Sequence, residues 1–545
     1  MIQKVFNLLD RDVSGLHKAA YVLGFSAFLS QLLALLRDRI LAHTFGAGEV
    51  LDIYYSAFRI PDFIFITVAS VVSISVLIPF LSQEKDSEKA KDFMSEIFSF
   101  FFIFVMVISI LVFLLIPKIA PFIFGGFSSD MLEQVVTLSR IMLLSPILLG
   151  LSNFFTSIIQ TRKKFFVYAL SPLFYNIGII IGILLFYPLW GISGLAFGVV
   201  LGALFHLIIQ LPSIYRLGYI PRFTLKVNLL KIKQLIKLSL PRTLAVSSSS
   251  LAVLILISTA TYMREGSVAI FNFAFALQSI PLTIIGVSYT MAAFPMLSRI
   301  TIDKKEIFMR QVGITARHIL FWTISATVLL FVLRAQIVRT ILGSGEFTWV
   351  DTRLTAACLA IFAISIPAQS LILFFVRGYY AAGMTKRPVF INVFSSIFIV
   401  LLVFLFKWIF NLLPFLLTGM GYLLKIKDIS DIHVIILPLS FSIATLLNLF
   451  LLYFFIQKDF QYLLKDLTKT FFQVCIASLI MGFVTYFSLK IWDNVFDINT
   501  LVGIFLQGLS AGISGIIVWF ISLKILDNQE VNTIFYSIKS RIKRN

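Results

Sequence analysis

The stretch Leu35-Leu36-Arg37-Asp38-Arg39-Ile40-Leu41-Ala42-His43-Thr44-Phe45-Gly46-Ala47-Gly48 decides how this chain reads. It sets three adjacent charges in the first long apolar segment of a very apolar sequence. A charge at bilayer depth costs roughly 2.5–3.5 kcal/mol even on the lenient insertion scale, and such residues usually face a wet cavity or a partner. A second reading is open. Residues 19–36 contain no formal charge and are about long enough to cross a bilayer, so the charges could simply flank the helix. Against that, Ile40 to Phe45 stays mostly apolar, and the first strong breaker is Gly46-Ala47-Gly48. The residues alone leave both readings standing.

The rest of the chain frames that stretch. Of 545 residues, 59% are hydrophobic and 13% charged, where a soluble domain carries about 25% charged. Phe occurs 58 times. No segment alternates as the strands of an outer-membrane barrel do, so the expected fold is an all-α polytopic membrane protein. The two cysteines, Cys358 and Cys475, sit in apolar runs and support no disulfide framework. The five histidines are scattered without ligand spacing, and no metal site is expected. No cleavable signal opens the chain. Residues 1–17 read as a short interfacial segment, with Val5, Phe6, Leu8 and Leu9 clustered between charges.

Fourteen apolar segments reach spanning length: 18–45, 53–82, 93–117, 131–160, 166–187, 189–213, 236–262, 268–297, 315–342, 353–382, 388–413, 433–457, 468–490 and 500–525. The net charge of +19 would suggest nucleic acid in a soluble protein. Here Lys and Arg concentrate in alternate short loops, such as Lys85/Lys89/Lys91, Arg162/Lys163/Lys164 and Lys386/Arg387. The charge is therefore topological, no nucleic-acid partner is expected, and both termini are placed in the cytoplasm of a cell-membrane protein.

An internal repeat is visible. Gly48-Glu49-Val50 is echoed by Gly266-Ser267-Val268, and the Ile-Pro at 60–61 by Ile280-Pro281. Pro79-Phe80-Leu81-Ser82 is echoed by Pro295-Met296-Leu297-Ser298, and Thr161-Arg162-Lys163 by Thr385-Lys386-Arg387. A nearly constant offset makes the unit six helices. Two six-helix lobes are then related by a pseudo-two-fold axis along the membrane normal, with two helices added. The division is 1–17 interfacial segment, 18–213 first lobe, 214–235 cytoplasmic linker, 236–457 second lobe, 458–525 added helices and 526–545 basic cytoplasmic tail.

No catalytic constellation stands out. There is no P-loop, HExxH or Gly-x-Ser-x-Gly, and the acids within spans reduce to Asp38, Asp62, Glu96 and, near an end, Asp52. Transport therefore fits better than catalysis. The intramembrane arginines are more informative: Arg37 with Asp38, Arg59, Arg140, Arg242 and Arg377. The arginine fork donates two parallel hydrogen bonds and suits phosphate. Asp38 would hold Arg37 while no ligand is bound. For Arg140 a shifted boundary or an interhelical hydrogen bond serves equally well, and for Arg242 a lipid headgroup does.

The run Arg37 to Gly48, followed by Asp52-Ile53-Tyr54-Tyr55-Ser56-Ala57-Phe58-Arg59-Ile60-Pro61, resembles the opening of the MurJ (MviN) family. Further matches are Ser139-Arg140-Ile141-Met142-Leu143, Gly191-Ile192-Ser193-Gly194, Gln210-Leu211-Pro212 and Tyr379-Tyr380-Ala381-Ala382-Gly383-Met384. The family flips lipid II and belongs to the multidrug/oligosaccharidyl-lipid/polysaccharide exporter superfamily. The resemblance implies a cationic cavity between two lobes for the diphosphate and sugar, and a groove for the polyprenyl tail on the last two helices. It implies substrate-binding roles for Arg37, Asp38, Asp52 and Arg59. It implies lipid II, or another lipid-linked oligosaccharide of the same superfamily, as substrate. A monomer is expected among membrane lipids, with no cofactor and with the membrane potential or a monovalent cation gradient as drive. Three positions depart from the pattern. Family arginines fall on Gln31 and Phe65, and a helix-8 Ala-Asp-Arg falls on Ala274-Phe275-Ala276. Arg242 is the candidate substitute for the last.

Overall fold

The computed structural model describes residues 16–71, 87–161, 165–218, 220–225, 228–300, 304–462 and 464–532. The interfacial segment expected at 1–17 and the basic tail at 526–545 lie largely outside these residues. Among the described residues every regular element is helical. Contact clustering divides the chain into two compact units, Met1–Ala269 and Ile270–Asn545.

Twelve helices among the described residues are long and apolar enough to span a membrane. The helices α1 (Leu16–Phe45) and α2 (Glu49–Val71) are not among these twelve, although they run 30 and 23 residues. Both carry several charged residues: Arg37, Asp38 and Arg39 in α1, and Glu49, Asp52, Arg59 and Asp62 in α2. The chain is thus a multi-pass helical membrane protein, and the charged pair of helices is the exception within it.

The first unit continues with α3 (Ser87–Ile123), α4 (Ser129–Met142), α5 (Leu144–Thr161) and α6 (Phe165–Ile181). A π segment, Gly182–Phe186, and α7 (Tyr187–Trp190) extend α6, and α8 (Ile192–Ile208), α9 (Leu211–Leu217) and α10 (Leu229–Ala260) follow. Helix α3 shows what faces lipid: Val107, Ile110 and Leu114 are more than half exposed.

Two local devices set the unit's geometry. Helix α6 meets α8 backbone to backbone. A Cβ on Gly178 would overlap Gly202, one on Gly198 would overlap Gly182, and one on Gly202 would overlap the Tyr175 carbonyl. Such small-residue seams are how helices approach closely where lipid offers no hydrophobic drive. The second device is the break between α4 and α5. Pro146 has no N–H for the Met142 carbonyl, and Ser145 Oγ takes that carbonyl instead at 2.7 Å. Ser139 Oγ ties α4 to the Ala57 carbonyl of α2 at 3.0 Å.

The second unit opens within α11 (Ser267–Pro281), followed by a π segment, Leu282–Val287, and α12 (Ser288–Leu297). Then come α13 (Lys305–Val332), α14 (Arg334–Ile341), α15 (Trp349–Ala381), α16 (Lys386–Leu412), α17 (Pro414–Leu424), α18 (Ile436–Phe460), α19 (Lys465–Asp493) and α20 (Leu501–Ile525). Its core joins α13, α15, α18 and α19 with Trp519 of α20. Thr348 and Asp351 form a capping box at the start of α15. The long connection at 414–432 contains α17, and Arg353 donates to Asp428 there at 2.5 and 2.6 Å.

Candidate functional site

Helices α1, α2 and α6 converge on a polar cluster inside the first unit. Arg37 Nε and Nη2 both donate to Asp38 Oδ1, at 2.9 and 2.8 Å. Its Nη1 donates to Asn176 Oδ1 of α6 at 3.0 Å, and Asn176 Nδ2 in turn donates to the Pro172 carbonyl at 3.0 Å. The Arg37 side chain is 23% exposed and that of Asp38 6%. A guanidinium has five N–H donors. Three are used here, and two take no partner among the described residues.

Nearly three turns into α2, Arg59 faces Asp62 at 3.8 Å. That distance is too long for a hydrogen bond and makes the pair Coulombic. The charges of Arg37, Asp38 and Arg59 all act on Tyr55, and those of Arg37 and Asp38 on Tyr54. Two arginines and two carboxylates leave the cluster neutral overall. Asp38 and Asn176 orient the Arg37 guanidinium without taking all of its donors.

Beside this cluster lies a cavity of about 230 Å³, lined by Phe58, Asp62 and Phe65 of α2, Asn153 of α5, Tyr175 of α6 and His206 of α8, among others. Tyr175 feels the charges of both Arg37 and Asp62. His206 Nδ1 lies 2.6 Å from Ser152 Oγ. Ser152 Oγ also accepts from Gln210 Nε2 at 2.7 Å, and Thr156 Oγ1 donates to Gln210 Oε1 at 3.1 Å. The Gln210 of Gln210-Leu211-Pro212 thus organises a buried polar network behind the cavity.

The other residues singled out from the sequence lie elsewhere. Asp52, 2% exposed, accepts from the Gly266 amide at 2.7 Å and the Ala269 amide at 2.9 Å. It acts as a cap on the turn that opens α11. Glu265 Oε1 reciprocates on the Glu49 amide at 3.1 Å. Gly266 has φ +84°, and a Cβ there would overlap the Ala47 carbonyl. Arg140 is held on α3, its Nε donating to the Phe113 carbonyl at 3.3 Å and its guanidinium 4.8 Å from the Phe113 ring centre. Gln31 has no hydrogen-bond partner among the described residues. It lies six positions before Arg37, about 240° around the helix. The backbone of Arg242 falls in α10, but its side chain lies outside the described residues.

Sequence reading passed over Asn176, Tyr175, Asn153 and His206. Each is a lone polar side chain in an apolar run, which local spacing does not single out.

A family model described as lipid II flippase MurJ matches residues 41–507. The chain is 25% identical over 490 residues to a probable lipid II flippase MurJ from Borreliella burgdorferi, covering 87% of this chain and 96% of that one. It is 27% identical over 382 residues to a probable lipid II flippase MurJ from Thermotoga maritima, covering 69% and 76%. Its fold is similar to a solved lipid II flippase MurJ in an inward closed conformation, with TM-score 0.74 and 23% identity over 93% of this chain and 98% of that one. It is also similar to an inward-facing multidrug MATE transporter, with TM-score 0.62 and 14% identity over 81% and 96%.

Proposed function

From the premise that the chain belongs to the MurJ family of lipid II flippases, we propose that it carries lipid II from the inner to the outer leaflet of the cytoplasmic membrane by alternating access. The observation that carries this reading is Arg37: partly buried in a helical membrane unit, steered by Asp38 and Asn176, with two N–H donors left over among the described residues. That is an arrangement for a diphosphate.

The finer architecture belongs to the same proposal. Segments α1 and α2 complete fourteen spans, arranged as two six-helix lobes about a pseudo-two-fold axis with α19 and α20 added, and both termini lie in the cytoplasm. The repeat and the loop charges support this. An apolar groove of about 320 Å³, lined by Leu333 and Ile337 on one side and Gly508 and Gly512 of α20 on the other, supports a place for the polyprenyl tail. A cytoplasm-negative potential favours outward movement of an anion by about 2.3 kcal/mol per charge per 100 mV. That drive needs no coupling ion.

The test is rescue of a strain depleted of its lipid II flippase. The chain should restore growth and Arg37→Ala should not. No rescue by the wild type, when it is inserted in the membrane, rejects the reading. Phe65, standing where the family has an arginine, favours one second reading: another lipid-linked sugar of the same diphosphate chemistry. Competition between lipid II and such a lipid for the purified protein separates the two.

A further inference from the structure

We propose that the cavity between α2, α5, α6 and α8 is a subsite for a single sugar ring, the one joined directly to the diphosphate. This deepens the flippase reading and rests on it. The lining divides by chemistry. Phe58, Phe65 and Tyr175 supply aromatic faces, and Asp62, Asn153 and His206 supply hydrogen-bonding groups. A pyranose presents that pairing: apolar C–H faces and a rim of hydroxyls. Asp62 accepts from hydroxyls, and Asn153 both donates and accepts. His206 has Nδ1 engaged by Ser152, which leaves Nε2 for a ligand. The Asn153 amide and the Tyr175 hydroxyl make no hydrogen bond among the described residues.

Charge and size assign the fragment. No lysine or arginine lines the cavity among the described residues, so it is not where a phosphate settles. The cations stand next to it: Arg59 pairs with the lining residue Asp62 at 3.8 Å, and the Arg37 charge acts on the lining residue Tyr175. A ligand with a neutral ring attached to an anion fits such neighbours. A drug-sized site takes roughly 300–1,000 Å³. At about 230 Å³ the cavity holds one part of the headgroup. Phe65 acquires a role here. An arginine at this position would bring a cation into the cavity, whereas the phenyl ring gives a sugar a face to lie on.

The experiment measures binding to the purified full-length protein by native mass spectrometry. The probes are undecaprenyl diphosphate, which has the anion and no sugar, and lipid II. The wild type should prefer lipid II. Asn153→Leu and Phe65→Ala should each weaken lipid II about tenfold, the scale of one lost buried hydrogen bond or contact. Both should leave undecaprenyl diphosphate within about twofold, which also shows that the variant is folded. Should Asn153→Leu fail to fold, Asn153→Ser reads the same position. Equal loss for both lipids, or no loss for either, overturns the subsite. A wild type that binds both lipids equally overturns the subsite and leaves the flippase reading intact. A wild type that binds neither removes the flippase reading itself.

Discussion

Arg37 and Asn176, 139 positions apart in sequence, meet at 3.0 Å, with Arg37 Nη1 donating to Asn176 Oδ1. The contact joins α1 to α6 and sets the plane of the guanidinium. Asn176→Leu should release that plane and lower the initial rate of lipid II flipping in proteoliposomes about five- to tenfold, the scale of one unmade buried hydrogen bond. Asn176→Asp should lower it further, because a second carboxylate would compete with the ligand for the same guanidinium. An unchanged rate in both variants would remove Asn176 from the mechanism.

Asp38 is the other holder of Arg37, and its removal leaves a cation without its carboxylate. Breaking a fully buried pair costs about 3–5 kcal/mol. Arg37 is 23% exposed, so Asp38→Ala should fall below that range, visible as a drop of several degrees in melting temperature in detergent. Asp38→Asn keeps the shape and should lose less stability.

Asp52 predicts a different pattern. Its two carboxylate oxygens satisfy the amides of Gly266 and Ala269, and Asp52→Ala leaves both donors buried and unpaired. The expected cost is about 2–4 kcal/mol, with Asp52→Asn retaining one acceptor and losing about half. Because Asp52 makes its contacts to backbone, undecaprenyl diphosphate should bind folded Asp52→Asn as it binds the wild type. A selective loss of ligand binding without loss of stability would place Asp52 on the substrate instead.

The α6–α8 seam predicts a steric failure. Gly202→Val would drive side-chain carbon into the Tyr175 carbonyl, and the protein should be recovered aggregated or degraded. Gly191 has open space around its Cβ position, but its φ of +56° makes Gly191→Ala a milder, strain-limited change. Yield after size-exclusion chromatography ranks the two.

The Arg353–Asp428 pair predicts a pH dependence. The hydrogen bond from Arg353 holds the Asp428 carboxyl down to about 2, below the ordinary value of about 3.9. Its stabilisation is therefore complete above about pH 4 and disappears as pH falls toward 2. Wild type and Asp428→Asn should differ in melting temperature at pH 5 to 8 by the same amount, and the difference should shrink only below pH 4. A difference that changes between pH 6 and 8 would point to another group.

Much of the fold could be read from the chain. Long apolar runs gave helices, and three clustered charges in the first of them marked the place where α1, α2 and α6 now form a polar cluster. The charge pairs Arg37–Asp38 and Arg59–Asp62 lie within one helix each, so local spacing reveals them. Asn176 and Tyr175 do not stand out in the same way. They reach the cluster because Gly178, Gly182, Gly198 and Gly202 let α6 with its π extension touch α8, and a contact across 139 residues leaves no local pattern. Gly48-Glu49-Val50 and Gly266-Ser267-Val268 are alike in sequence. That these two stretches are tied together through Asp52 and Glu265 was not legible, because likeness says nothing of contact.

The glycine seam also limits how this part of the molecule can change shape. Where two backbones touch directly, there are no side-chain rotamers between them to take up a displacement. A tilt of α8 must reach α6 undamped, and Asn176 rides on α6 with one hand on the Arg37 guanidinium. The pair behaves as a stiff unit: a displacement at the end of α8 that Gln210 anchors is carried to Asn176 and so to the Arg37 guanidinium.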